Sequence, residues 1–142
     1  MLIKINDRST LLDIQELFND FLPYLKVEFY QPGTDSYNVV PDLQPLDRNF
    51  CIGDLHPKII ITELEVLPGY RAADLLKEMQ VKLGLAVQLF RREKSNWEPT
   101  TGMEDFTLAE LNQFGKDSSV ESIPTHYSED LVYPEQKAGE LL

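Results

Sequence analysis

The sequence predicts an α+β protein, a two-layer α/β sandwich of two similar β-α-β units. Two observations predict it. Strand-like and helix-like spacings of apolar residues alternate along the chain, and the pattern of the first half recurs in the second. The order βαβ followed by βαβ is that of a ferredoxin-like fold, and two β-grasp-like lobes side by side are the alternative. The length of 142 residues fits one domain.

The first unit begins with a strand at residues 2–5. Thr10 and Asp13 come close to the spacing of a capping box, which predicts the start of a helix. Pro23 ends that helix, and residues 25–30 alternate as a half-buried strand does. The loop-rich stretch 31–57 is predicted to contain a short strand at 37–40 and one helical turn at 51–55. The apolar residues of the helix recur on one face: Leu11, Ile14, Leu17, Phe18, Phe21 and Leu22.

The second unit repeats this order. A β-rich run at 58–67 precedes a Pro68-Gly69 turn and a second amphipathic helix, which Gly84 is expected to cap in the left-handed conformation. A strand at 85–90, a hairpin tip at 91–96 and a return strand at 97–101 follow. Thr107 and Glu110 form the capping box of a short last helix that Gly115 is predicted to end.

The two halves correspond at nearly constant offsets. Leu75 lies 61 residues after Ile14, and Phe106 lies 56 residues after Phe50. Each half alone is too small to bury a good core. We therefore predict one domain at residues 1–117, made of repeats at about 1–57 and 58–117, followed by an acidic C-terminal tail at 118–142.

Four stretches of the chain share a distinctive pattern with other sequences: the Pro23-Tyr24-Leu25-Lys26 strand with its flanks (21–29), the strand at 84–91, the Trp97 segment (97–101) and the helix that includes Thr107-Leu108-Ala109-Glu110 (106–112). With these stretches the chain resembles a group of small bacterial proteins to which no activity is assigned. The resemblance covers roughly residues 1–117 and implies the same tandem organisation, without implying a chemistry. This chain departs from the group in its long 31–57 region and in its acidic tail.

Composition narrows the classes of function. The net charge of −11 disfavours non-specific binding to nucleic acid or to anionic membranes, because phosphates would be repelled. One cysteine excludes an internal disulfide framework. No apolar run is long enough to span a membrane and no secretory signal is visible, so we expect a cytoplasmic protein.

The candidate residues for catalysis are few. Cys51, Asp54 and His56 form a Cys-x-x-Asp-x-His segment, in which a nucleophilic thiol could lie beside a base. The alternative interpretation is that Cys51 has a structural role only, since position 51 corresponds to the predicted helix cap at Thr107. A zinc site would need Cys51, both histidines (His56 and His126) and a carboxylate to meet. We therefore expect no metal and no cofactor.

Two segments are candidate interaction surfaces. The hairpin carries a basic cluster beside an aromatic residue: Arg91, Arg92, Lys94 and Trp97. This surface could contact single-stranded nucleic acid, an acidic peptide or the tail. The tail combines a net charge of −4 with four apolar or aromatic residues that indicate docking: Tyr127, Leu131, Val132 and Tyr133.

These features favour a non-enzymatic module that binds a protein partner or self-associates. One alternative is a small hydrolase or transferase with a site around Cys51 and His56. The other is single-stranded nucleic-acid binding through the basic hairpin, which the overall charge disfavours.

Overall fold

The computed structural model describes residues 1–32, 44–55 and 61–120, in which helices pack on antiparallel sheets. The α+β class and the two-layer arrangement are confirmed. None of the described helices is long and apolar enough to cross a membrane. The elements in chain order are β1 (Leu2–Asn6), α1 (Leu11–Phe21), β2 (Leu25–Tyr30), α2 (Ile52–Leu55), β3 (Ile61–Glu65), α3 (Ala72–Leu83), β4 (Ala86–Glu93), β5 (Asn96–Pro99) and α4 (Leu108–Ser118).

The described strands form two antiparallel sheets, and each sheet joins the first half of the chain to the second. β1 pairs with β3, while β4 lies between β2 and β5. Ile3 faces Leu64 in the first sheet, and Glu28 faces Gln88 in the second. These partners are 61 and 60 residues apart, close to the offset at which the sequence pattern recurs. Because both pairs are antiparallel, the separation changes by two at each step, and partners near the middle of each pair match the offset. Corresponding strands of the two halves therefore pair with each other.

Two equivalent sets of four backbone hydrogen bonds link helix starts to later segments. One set links the start of α1 to the segment around α2, and the other links the start of α3 to the segment around α4. Corresponding donors and acceptors of the two sets are offset by 61 or 56 residues. The division into repeats at 1–57 and 58–117 stays a prediction. The bonds run from the N–H groups of Leu11, Leu12, Ile52 and Gly53 to the carbonyls of Phe50, Arg48, Ser9 and Asp7, and from those of Ala72, Ala73, Leu108 and Ala109 to Phe106, Glu104, Tyr70 and Pro68.

One apolar core holds the elements together. It takes alternate residues from the strands and the apolar stripe of each long helix, as the periodicities require. Its largest fully buried side chains include Phe18 from α1, Phe29 from β2 and Met79 from α3. Because α1, α3 and α4 all contribute to this core, the sheets and helices are coupled in one packing unit.

Three of the predicted helix caps are present. Thr10 Oγ1 accepts from Asp13 N–H at 3.1 Å, and Thr107 Oγ1 accepts from Glu110 N–H at 3.1 Å. Gly84 caps α3 with φ 68°, which a residue without a Cβ adopts easily. The predicted strand at 37–40 lies outside the described residues.

The end of α4 differs from the sequence prediction, because the helix continues through Gly115 to Ser118. Gly115 allows a close approach between α4 and the chain that enters β2. A Cβ built at this position would lie 2.7 Å from Tyr24 O and 2.9 Å from Tyr24 Cβ. The glycine therefore serves packing and does not end the helix.

Candidate functional site

The β4–β5 hairpin holds Arg92 against an aromatic ring, while Arg91, the preceding residue of β4, has its side chain on the opposite face of the strand. Trp97 on β5 is half-buried and pairs in register with Arg92 on β4. The Arg92 Cζ atom lies 4.9 Å from the centroid of the Trp97 ring. Lys26 Nζ, from β2, lies 5.4 Å from the same centroid and 5.2 Å from that of Phe90. Both cations are thus close enough to the Trp97 ring for cation–π attraction.

The tip of the hairpin is tied to the end of α4. Lys94 has φ 54°, a left-handed conformation that is uncommon for a residue with a side chain. Its N–H donates to Ser118 O at 2.6 Å. Arg92 N–H donates to Tyr24 O at 2.9 Å, and Tyr24 N–H donates to Asn112 Oδ1 at 2.9 Å. These bonds fix the backbone that carries the basic side chains.

A groove of about 390 Å³ lies beside Trp97, between α1 and β2. Its walls combine aliphatic, amide and charged side chains, so it offers both apolar contact and hydrogen-bonding groups. We call it the α1–β2 groove. It is lined by Leu12, Gln15, Glu16 and Asn19 from α1, by Lys26, Val27 and Glu28 from β2, and by Arg48 and Trp97.

Gln15 is the most buried polar side chain of the groove, with 7% of its surface exposed. Its Nε2 donates to Val27 O at 2.7 Å and to Glu28 Oε1 at 3.0 Å. These two acceptors determine the orientation of the amide, because a flipped amide would place its oxygen against them. Gln15 Oε1 is buried and accepts no hydrogen bond from the described residues. A buried acceptor without a donor is costly, so an occupant that supplies a donor would stabilise this side chain.

Ion pairs neutralise part of the charge around the groove and the hairpin. Lys26 Nζ lies 3.1 Å from Glu28 Oε2, and Arg91 Nη1 lies 2.7 Å from Glu93 Oε1. The hydrogen bond from Arg91 holds the pKa of the Glu93 carboxyl below its usual value. Burial, followed by the nearby Glu28 charge, raises the pKa of Tyr30.

The charges left without an ion-pair partner among the described residues are mostly positive. They are the cations of Arg48, Arg92 and Lys94 and the carboxylates of Glu16 and Glu98. These five charges sum to +1, so the surface is slightly cationic on a protein whose net charge is −11. Charges farther apart than about 8 Å are screened at physiological salt, so an acidic ligand responds mainly to this local balance.

The interaction residues predicted from the sequence belong to two groups, one on the hairpin and one in the C-terminal tail. The structure places Arg91, Arg92, Lys94 and Trp97 on one hairpin, with Arg92 against the Trp97 ring and Arg91 on the opposite face of β4. The other predicted interaction residues lie outside the described part of the chain: Tyr127, Leu131, Val132 and Tyr133.

Sequence reasoning did not identify three residues that shape this surface: Lys26, Gln15 and Arg48. Lys26 occupies a polar position of an alternating strand, which is the ordinary pattern of a solvent-facing side chain. Gln15 interrupts the apolar stripe of α1 at a buried position, and that interruption is the signal in the sequence that could have identified it.

The segment around Cys51 is placed only in part. Cys51 is half-buried and pairs with Thr10 in an isolated β-bridge. Its carbonyl accepts from Asp54 N–H at 3.1 Å, while the Asp54 side chain is exposed. His56 and His126 lie outside the described residues. Within the described ranges, His, Cys, Asp and Glu side chains do not form any group of three or more that could hold a metal ion.

Comparison with known proteins gave no relative from which a function could be transferred. No protein-family model matches the chain, and no curated protein or solved structure matches it. The geometry of the hairpin and of the α1–β2 groove is therefore the basis on which a function can be inferred.

Proposed function

We propose that this protein is a non-enzymatic protein-binding module that holds an acidic segment of a protein against its β4–β5 hairpin and its α1–β2 groove. The observation that carries the proposal is the half-buried Trp97 ring, which has the cations of Arg92 and Lys26 at 4.9 and 5.4 Å from its centroid and lies at the side of an open groove. Aromatic and arginine side chains are enriched where proteins bind one another.

The chemistry of the groove supports a peptide as the ligand. A polypeptide brings backbone N–H donors, which the unpaired Gln15 Oε1 lacks among the described residues. Leu12, Val27 and Trp97 offer apolar contact to side chains of the ligand. The cations without ion-pair partners, Arg92 among them, favour carboxylates at the hairpin.

The two other hypotheses have weaker support. A phosphate backbone would meet the same local cations, but unlike a polypeptide backbone it carries no N–H donor for the buried Gln15 Oε1. A hydrolase around Cys51 would need a base, and the described neighbour Asp54 has its side chain in solvent. No contact of the described residues favours that reaction.

Two further features belong to the proposal. We propose that the chain arose by duplication of one β-α-β unit, which the matching hydrogen bonds at the starts of α1 and α3 support. A cytoplasmic location is proposed as well, and a single cysteine is compatible with a reducing compartment.

Fluorescence of Trp97 tests the binding function, because the chain contains one tryptophan. The full-length protein is titrated with a random copolymer of glutamate and tyrosine at low and at high salt. We expect a saturable change in emission whose midpoint moves to higher copolymer concentration as salt increases. A titration with oligothymidylate under the same conditions tests the nucleic-acid alternative.

Charge-removing variants locate the binding surface. Arg92→Gln combined with Lys94→Asn should weaken copolymer binding about tenfold, which corresponds to about 1.4 kcal/mol. Asparagine is chosen at position 94 because it tolerates a positive φ. The matched control is Lys77→Gln, which should leave binding unchanged because Lys77 is exposed on α3 and belongs neither to the hairpin nor to the lining of the α1–β2 groove. Equal affinities for all three proteins, or tighter binding of oligothymidylate than of the copolymer, would contradict the proposal.

A further inference from the structure

We infer that the acidic segment that occupies the hairpin and the α1–β2 groove is residues 121–142 of the same chain, so that the protein covers its own binding surface. This inference rests on the proposed function. It names the occupant of the surface, and a protein partner would have to displace it.

The first support is the place where the described chain ends. Ser118, the last residue of α4, accepts a hydrogen bond from Lys94 at the tip of the hairpin. Lys94 precedes Trp97 by three residues, a span of at most about 10 Å. Residue 121 therefore follows a chain that has just reached the cationic surface.

The second support is charge. Residues 121–142 contain five carboxylates and one lysine, Lys137. The facing surface has Arg48, Arg92 and Lys94 without ion-pair partners among the described residues. Electrostatic complementarity of this kind contributes more to the position at which a segment binds than to how tightly it binds. The apolar members of the segment suit the apolar wall of the groove: Tyr127, Leu131, Val132 and Tyr133.

The third support is the advantage of a covalent connection. A tethered segment acts at an effective concentration that reaches the millimolar range for short connections. Ser128 lies eight positions after Val120, and such a stretch spans up to about 27 Å when extended. That reach exceeds the distance from the hairpin tip to Trp97. At micromolar protein, the same segment of a second copy would compete poorly.

A contact-quenching experiment in the full chain tests this inference. Cys51→Ser removes the native thiol, and Ser128→Cys places a nitroxide label in the segment. We expect the label to quench the emission of Trp97 by at least half, equally at all protein concentrations. Arg92→Gln with Lys94→Asn should restore the emission, and so should an excess of the glutamate–tyrosine copolymer. Lys77→Gln is the control that should leave the quenching unchanged.

The outcomes separate this inference from the proposed function. Absence of quenching in a protein that still binds the copolymer would overturn the inference and leave the proposed function standing. Absence of both would overturn both. Quenching that increases with protein concentration would assign the segment to a second copy and overturn the intramolecular inference. Quenching that survives the Arg92 and Lys94 substitutions would place the segment elsewhere and overturn it too.

Discussion

Replacing Gly115 by alanine tests the contact between α4 and the chain that supports the hairpin. Helix propensity alone predicts that Gly115→Ala stabilises the protein by about 1 kcal/mol, since alanine is preferred inside helices. The structure predicts the opposite. The added methyl group would meet Tyr24 O at 2.7 Å, Tyr24 Cβ at 2.9 Å and Arg92 N at 3.3 Å.

The magnitude follows from these contacts. Overpacking costs about 1–3 kcal/mol, and the upper part of that range applies because backbone atoms cannot rotate away as a side chain can. The methyl group also disturbs the hydrogen bond from Arg92 N–H to Tyr24 O, which contributes about 1 kcal/mol. After subtraction of the gain in helix propensity, we expect the free energy of unfolding to fall by about 2–3 kcal/mol.

Urea denaturation, followed by Trp97 fluorescence and circular dichroism, measures this loss. With a slope of about 2 kcal/mol per molar urea, the midpoint should fall by about 1–1.5 M. Gly69→Ala is the matched control, because no atom lies within 4 Å of the position that its added Cβ would take and its φ is not positive. That variant should keep its stability or gain up to about 1 kcal/mol. A Gly115→Ala protein as stable as the wild type would refute the assigned contact.

Three other substitutions probe the cap, the core and the ion pair, each by urea unfolding against the wild type. Thr107→Ala should lower the free energy of unfolding by about 1 kcal/mol, because it removes the oxygen that accepts from Glu110 N–H. An unchanged free energy of unfolding would contradict a stabilising role for this cap. Phe18→Ala should lower the free energy of unfolding by about 3–5 kcal/mol, because the Phe18 ring is fully buried. A decrease of less than about 1 kcal/mol would contradict that burial. For Glu93→Gln the size of the loss in stability depends on pH: because Arg91 lowers the Glu93 pKa from about 4.5, the pair stabilises the folded state above that pH and stops doing so as pH falls through the lowered pKa. The difference between Glu93→Gln and wild type should therefore be present at pH 7 and vanish in acid, and a difference that persisted in acid would argue against the pair.

Much of the secondary structure could be predicted because it depends on nearby residues. The Thr107–Glu110 capping box is a contact between residues three apart, and its spacing is visible in the chain. The left-handed cap at Gly84 follows in the same way from a glycine after an amphipathic stretch. Gly115 shows the limit of such reasoning. A glycine after a short helix is an ordinary stop signal, while the reason for this one is Tyr24, 91 residues earlier in the chain.

The candidate site was predictable in part for the same reason. Arg91, Arg92, Lys94 and Trp97 are close in sequence, so a hairpin brings them together by local geometry alone. The contribution of Lys26 depends on the pairing of β2 with β4. Strand pairing between distant segments has no local signature, and the alternation of β2 is the same whichever neighbour it has.

The sequence by itself determined the element types, the caps, the α+β class and the basic hairpin, because periodicity, turn chemistry and capping act over a few residues. Tertiary structure decided the two-sheet arrangement, the continuation of α4 past Gly115 and the groove in which Gln15 and Lys26 meet Trp97. These features depend on long-range packing of complementary surfaces, whose free energy belongs to pairs of distant segments and not to either segment alone.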